Sequence, residues 1–340
     1  MTGLLAPESD VNPTPYASPL HPANIFNVEG LVAVITGGGT GIGLMMATAL
    51  ENNGATVYIV GRRLEILRKA ARENSRFGKI IPLEGDITDR ASLLTIAETI
   101  KAEQGYIDLL VNNAGIARNL FPHPLPSPNG SNISHPPSPP ASPGPSSSAP
   151  SIKAFQSVLW DCGSPEDFAE TFAINTTAVY YTTVAFLDLL HQGNLRRQRL
   201  ACQTTVPNLA RPPYHTSQVL SVSSSGSFRI DSKVLSPSYT LSKSACTHLG
   251  KLLANLLAPW GIRSNVLAPG VWPSEMTTSP TPTFKLDPFA LAEAVPLKRT
   301  GSQEDMAGTI LFLASRAGAY VNGAVWLVDG GRVGCVASNY

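Results

Sequence analysis

The stretch Val32-Ala33-Val34-Ile35-Thr36-Gly37-Gly38-Gly39-Thr40-Gly41-Ile42-Gly43 constrains this chain more than any other. An apolar, β-branched run passes through a turn dense in glycine into Ile42, Met45, Met46, Ala49 and Leu50, which share one helical face. The pattern reads as strand, turn and helix. Gly37 takes backbone angles closed to other residues, Gly41 lets the chain pass close to a bound pyrophosphate, and Gly43 lets the helix pack on the strand. Gly39, Thr40 and Ile42 complete the turn, and the free N–H groups at the helix start favour an anion there. A glycine-rich loop without a ligand is the bland alternative, and the flanking strand and helix weigh against it.

With 340 residues and 43% hydrophobic content, the chain can bury a large α/β core. Its 25 basic and 24 acidic residues are scattered, so neither nucleic acid nor a membrane surface is an expected partner. Cys162, Cys202, Cys246 and Cys335 lie far apart, with no Cys-x-x-Cys or Cys/His cluster. Free thiols and no metal site are expected. No apolar run approaches a membrane span, and prolines interrupt residues 1–27 where a secretory core would lie, so the expected location is the cytoplasm. The glycosylation patterns at Asn129, Asn132 and Asn175 then read as coincidence.

Residues 1–27 read as a proline-rich arm, followed by one domain over 28–335 and a tail at 336–340. Six further strands are expected: Ala55–Val60, Lys79–Glu84, Ile107–Val111, Val219–Val222, Ile262–Leu267 and Ala324–Val328, alternating with helices. That alternation describes α/β architecture: a single doubly wound (Rossmann) domain, with a seven-stranded parallel sheet and helices on both faces. Two insertions interrupt it. The low-complexity one spans 119–160; of the 30 residues from Pro122 to Ser151, 11 are proline and 9 serine, too few apolar groups to offset ordering entropy. The second, 191–216, carries Arg196, Arg197, Arg199, Pro207, Pro212 and Pro213 and reads as irregular. From Trp272 to Ala290 the chain reads as a flexible lid.

Gly61-Arg62-Arg63, after the second strand, bears on the choice of dinucleotide. NAD sites usually place an acid there for the ribose hydroxyls, whereas a 2′-phosphate calls for guanidinium groups. The acid is absent and Arg62 and Arg63 stand in its place, so NADP(H) is expected over NAD(H). Asp86, in Gly85-Asp86-Ile87, either accepts from an adenine amino group or caps the next helix. Asn112-Asn113-Ala114-Gly115 ends strand four in small residues that let backbone lie against a cofactor.

Tyr239 and Lys243 stand four apart on an expected helix, hence on one face. A phenol titrates at ~10 in water, so using one near neutrality takes roughly 4 kcal/mol of preferential phenolate stabilisation. A nearby ammonium and an oxidised nicotinamide are able to supply it. The pair alone is a common pattern. In order with the glycine turn, Gly85-Asp86-Ile87, Asn112-Asn113-Ala114-Gly115, Asn175, the serines ending strand five and Pro269-Gly270, it resembles the short-chain dehydrogenase/reductase family, from about Gly30 to Gly331 outside the insertions.

That resemblance implies hydride transfer between a nicotinamide and a carbonyl or secondary alcohol. It makes Tyr239 the acid/base, has Ser224 polarise the substrate oxygen, places Lys243 on the nicotinamide ribose and gives Asn175 a proton-relaying water chain. Asn113, Ala114 and Gly115 are then expected on the cofactor, with Val271 and Ser274 on its carboxamide. Ser224 lies between Ser223 and Ser225 and slightly farther from Tyr239 than is usual in the family, and Thr40 stands where many NADP-dependent members carry a basic residue. The resemblance further implies a homotetramer or homodimer built on Ala173–Leu190 and Ala245–Leu257. Phe228, Ile230, Trp272, Met276 and Phe284 are candidates for an apolar substrate pocket. A catalytically inactive dinucleotide-binding scaffold is the alternative from another class; a sugar-nucleotide epimerase or dehydratase is the third, without the second domain it needs.

Overall fold

The computed structural model describes residues 18–128, 150–203, 215–275 and 292–340. The helical and extended elements are, in chain order, α1 (Pro22–Ile25), β1 (Val32–Thr36), α2 (Gly41–Glu51), β2 (Thr56–Gly61), α3 (Leu64–Asn74), β3 (Ile80–Glu84), α4 (Arg90–Gln104) and β4 (Leu109–Asn112). Then follow α5 (Ile152–Trp160), α6 (Pro165–Phe172), a π turn (Ala173–Thr177), α7 (Ala178–Ala185), α8 (Leu187–Gln203) and β5 (Gln218–Val222). The remainder is α9 (Pro237–Leu257), β6 (Arg263–Pro269), α10 (Gln303–Ala314) and β7 (Val325–Val328), with short 3₁₀ turns between.

The seven strands form one parallel sheet in the order β3-β2-β1-β4-β5-β6-β7. Alternate residues of β1 explain why its run is apolar throughout: Ala33 and Ile35 join one core with Met46, Leu50, Met306 and Ile310, while Val32 and Val34 join another with Ile96, Ile100, Phe186 and Leu253. Helices α2, α3 and α10 therefore cover one face and α4, α8 and α9 the other. Strand order reverses at β1, and the crevice between the carboxyl ends of β1 and β4 is where such sheets place ligands.

Four boundaries differ from the sequence reading. Residues 191–216 are not irregular throughout, because α8 continues to Gln203: its arginines are good helix formers, Arg196 stacks 4.4 Å from the Tyr106 ring centroid, and the prolines begin only at Pro207. The bounds 119–160 are too wide, since Ser151 caps α5, which runs to Trp160, and Asn119 is buried. The cap and first-turn proline at Ser164-Pro165 predict one long helix to about Leu190, but the chain turns through a π segment at Ala173–Thr177 and breaks at Phe186. The arm contains the single turn α1, which tolerates Pro22 because a first-turn residue needs no N–H partner. The lid expected after Trp272 falls mostly on 276–291, outside the described residues, as do 1–17, 129–149 and 204–214.

Candidate active site

A cavity of about 940 Å³ opens at the carboxyl edge of the sheet. Gly37, Gly39, Thr40, Gly41 and Ile42 line one side of it. Gly37 and Gly41 have φ of +63° and +52°. A Cβ on Gly37 would sit 2.9 Å from Ala114 Cα, and one on Gly41 3.0 Å from Ser274 Cβ. Glycine is therefore what keeps this wall open. Thr40 caps α2 without a side-chain hydrogen bond, and no acid stands in the first turn, so the positive end of the helix is left for a ligand. Gly43 does not line the cavity: its Cβ would lie 2.4 Å from Gly37 O, so its role is packing.

Arg62, Arg63, Asp86 and Ile87 line the next section. Arg63 reaches across to Glu275, NH2 to Oε2 at 2.7 Å, with both side chains about half exposed. Asp89, not Asp86, caps α4, accepting from Ala91 N and Ser92 N. The Thr88 hydroxyl on Asp86 Oδ1 lowers the Asp86 pKa most; burial opposes it, and the Thr88 amide and the Arg62 charge add to the lowering. Ala114 and Gly115 line the cavity with Asn113, whose side chain staples strand ends together by donating to Thr36 O at 3.0 Å and Gly37 O at 3.1 Å. Val271, Ser274 and Trp272 complete the rim.

Three serines end β5, and their environments differ. Ser223 is buried, donating to Lys243 O at 2.8 Å and sharing a 2.6 Å bond with Thr247 Oγ1. Ser225 is buried at the start of a 3₁₀ turn. Ser224 is half-buried, and a Cβ on Gly226 would meet both Ser224 Oγ, at 3.2 Å, and Tyr239 Cε1, at 3.8 Å. All three serines line the cavity, and Ser224 is the one whose hydroxyl borders, with the Tyr239 ring, the space beside Gly226. Helix α9 starts at Pro237 with Ser236 capping Tyr239 N, which brings Tyr239 and Lys243 to the cavity one turn apart. Lys243 is 4% exposed, its Nζ donates to Val222 O at 2.7 Å, and it stands 6.0 Å from the Tyr239 ring centroid.

Asn175 lies behind this cluster, fully buried in the π turn rather than on the cavity wall. Its amide donates to Ile116 O and Ser242 Oγ and its Oδ1 accepts from Ile116 N, all between 2.9 and 3.0 Å. π turns cost hydrogen-bond geometry and concentrate at functional positions. Of the three apolar candidates among the described residues, Trp272 alone lines the cavity, and it is 3% exposed against Gly301. Phe228 packs on Tyr340 instead, Ile230 is exposed, and Met276 and Phe284 lie outside the described residues. Sequence reasoning missed His123, Arg229, Lys233, Glu275 and Arg332, which also line the cavity. The only local signals were the Arg229-x-Asp231 spacing and the arginine after Asp329-Gly-Gly.

A family model described as short chain dehydrogenase matches residues 31–128, and one described as enoyl-(acyl carrier protein) reductase matches 149–332. Short-chain dehydrogenase/reductase VdtF of Byssochlamys spectabilis is 42% identical over 323 residues, 94% of this chain and 97% of the relative. The 2-dehydro-3-deoxy-D-gluconate 5-dehydrogenase of Dickeya dadantii is 30% identical over 91% of this chain and 97% of its own. Among solved structures, an RhlG/NADP active-site complex from Pseudomonas aeruginosa matches with TM-score 0.66 and 25% identity, over 91% of this chain and 98% of that one. The chain belongs to the short-chain dehydrogenase/reductase family of oxidoreductases. Among the described residues no helix is long and apolar enough to cross a membrane, and no cluster of three or more His, Cys, Asp or Glu could hold a metal.

Proposed function

We propose that the protein is an NADP(H)-dependent oxidoreductase that interconverts a carbonyl and a secondary alcohol of a small or medium organic substrate. The observation that carries this reading is the meeting of Ser224, Tyr239 and Lys243 in the same cavity as the glycine turn. The cradle fits a dinucleotide: Gly37, Gly39, Thr40, Gly41 and Ile42 would hold the diphosphate, Asp86 and Ile87 the adenine, and Asn113, Ala114 and Gly115 the adjoining backbone face. A Cβ on Gly115 would fall 3.0 Å from Asn175 Oδ1 and 3.2 Å from Lys243 Nζ, so glycine is what lets this backbone lie close to both polar side chains. Val271 and Ser274 would meet the carboxamide, and Tyr239 and Lys243 the nicotinamide ribose. Arg62 and Arg63 would take the 2′-phosphate, and an NADP complex among the structural relatives supports that choice. When bound, the nicotinamide supplies or accepts the hydride.

Tyr239 donates its phenolic proton to the carbonyl oxygen during reduction and takes it back during oxidation. Ser224 Oγ donates a hydrogen bond to the same oxygen as negative charge gathers there. Lys243, pinned to Val222 O, keeps an ammonium beside the phenol, and Asn175 fixes the backbone at Ile116 behind it, next to where a proton-relaying water would sit. The expected compartment is the cytoplasm, in keeping with four free thiols. Tyr180 and Val184 on α7 and Leu252 and Leu256 on α9 are exposed apolar residues that support a homotetramer or homodimer. The test is a screen of ketones, quinones and β-ketoacyl thioesters for NADPH oxidation, with NADH in parallel. Turnover lost in Tyr239→Phe with NADPH binding intact supports the reading; equal turnover in that variant, or NADH preferred throughout, overturns it.

A further inference from the structure

Among the described residues, the part of the cavity beyond Ser224 holds more positive charge than its acids neutralise. Arg229, just past the turn that follows Ser224, is taken up by Asp231 through two bonds of 2.7 Å, Nε to Oδ2 and NH2 to Oδ1, with both side chains largely buried. Arg332 lines the same cavity and is half-buried. Burial lowers its pKa most and the Arg229 charge adds to that, while Asp231 and Asp329 pull the other way. Neither acid pairs with it. Asp231 Oδ1 already accepts from Arg229 and Lys233 N, and Asp329 accepts from Gly331 N at 2.9 Å and Val333 N at 2.7 Å, closing its own turn. Arg332 thus makes no ion pair with a described carboxylate, and the neighbouring Lys233 on the cavity wall adds a second cation.

The fold fixes Arg332 in place. After Asp329-Gly330-Gly331, a 3₁₀ turn (Val333–Cys335) buries Val333, and the last residues pair with the segment beyond Ser224. Ile230 N donates to Ala337 O and Asn339 N to Phe228 O, both at 2.9 Å, and Arg229 bridges to Ser338. The segment read from sequence as a tail is therefore a clamp on the substrate side. A guanidinium drawn out of water without a partner is costly unless a ligand supplies the anion.

We propose that Arg332 anchors an anionic substrate: the cavity takes a carbonyl compound that also carries a carboxylate, which the free guanidinium holds in two-pronged fashion while the carbonyl meets Ser224 and Tyr239. This rests on the oxidoreductase reading above. Arg332 is a binding residue for the part of the substrate that does not react: its planar guanidinium matches a carboxylate in charge and shape, and Lys233 adds to the attraction.

The experiment compares a 3-oxo acid with its methyl ester as oxidants of NADPH, in wild type, Arg332→Met and Arg332→Lys. Wild type is expected to favour the acid by about tenfold to a hundredfold in kcat/KM, mainly through KM, as befits a charged hydrogen-bonded contact. Arg332→Met brings the acid-to-ester ratio to about one, and Arg332→Lys restores part of it. Calorimetric titration of the NADP-loaded protein with the same acid and ester reads the contact without turnover, and NADPH binding by each variant reports its fold. Equal handling of acid and ester by wild type, or a ratio unmoved by Arg332→Met, overturns the anion anchor. If neither compound nor any neutral ketone oxidises NADPH while the acid still binds through Arg332, the oxidoreductase reading fails and the anchor stands.

Discussion

The two ends of strands β4, β5 and β6 treat charge in opposite ways. At the amino edge, Asp108 accepts from Val32 N at 2.9 Å and pairs with Arg197 at 2.7 Å, and Arg197 also contacts His215 Nδ1. Arg263, which opens β6, donates to Gln218 Oε1, Gly318 O, Val321 O and Thr216 O. Charges there are spent on the protein's own groups. At the carboxyl edge, glycines hold the backbone back from a cavity whose walls carry Arg62, Lys243 and Arg332. The same strand architecture is therefore closed at one edge and open at the other: amino-edge cations meet the protein's own groups, whereas beside the paired Arg63 and Arg229 of the carboxyl edge, Arg62 and Arg332 make no ion pair with a described carboxylate.

Substitutions at the two edges should separate activity from stability. The largest expected effect is at the cavity: Lys243→Met lowers carbonyl-dependent NADPH turnover roughly 10²–10⁴-fold, while a shift of a few degrees in thermal midpoint is all that stability records. Asp108→Ala does the reverse, costing about 3–5 kcal/mol in denaturant unfolding because Arg197 and Val32 N–H lose a buried partner, with kcat retained in the folded fraction. Arg62→Ala with Arg63→Ala is expected to cut the NADPH-to-NADH preference by about 10–100-fold in kcat/KM at unchanged stability.

His215 offers a pH test of the closed edge. Burial, then the charges of Arg197, Arg263 and Arg316, hold its pKa down at about 3. The unfolded chain takes up that proton near pH ~6.5. Below this pH the unfolded state binds a proton that the folded state refuses, so stability falls as pH drops, by roughly 1.4 kcal/mol per unit until about pH 3. His215→Gln should flatten that slope in pH-dependent unfolding, whereas Tyr239→Phe should leave it unchanged. The smallest expected effect is at the Arg63–Glu275 pair: its half-exposed side chains contribute about 1 kcal/mol or less, so Glu275→Gln barely moves stability and tightens NADPH binding only a few-fold in a fluorescence titration.

Much of this molecule is legible locally. The buried strand β1 is written as an apolar, β-branched run up to Thr36, and Ser164-Pro165 and Ser236-Pro237 mark helix starts that the structure keeps. The glycine turn declares itself by composition, and Gly37 has the positive φ that the reading required. The reading failed where prolines or arginines suggested irregularity without regard to what they touch, as in α8, whose Arg197 is fixed by Asp108 at the start of β4.

The sequence by itself determined the alternation of strands and helices, the glycine turn and the Tyr239/Lys243 helix, because each depends on backbone preferences and side-chain periodicity within about a dozen residues. Only the tertiary structure decided which of three serines stands beside Tyr239, that Gly43 and Asn175 lie behind the cavity wall, and that Arg332 reaches it without an ion pair to a described carboxylate. Those outcomes depend on parallel strand register and on contacts between segments far apart in the chain, such as Phe228 with Asn339 and Ile116 with Asn175. No local preference encodes them, since a side chain's partner at a strand end is set by whichever distant loop the sheet brings alongside.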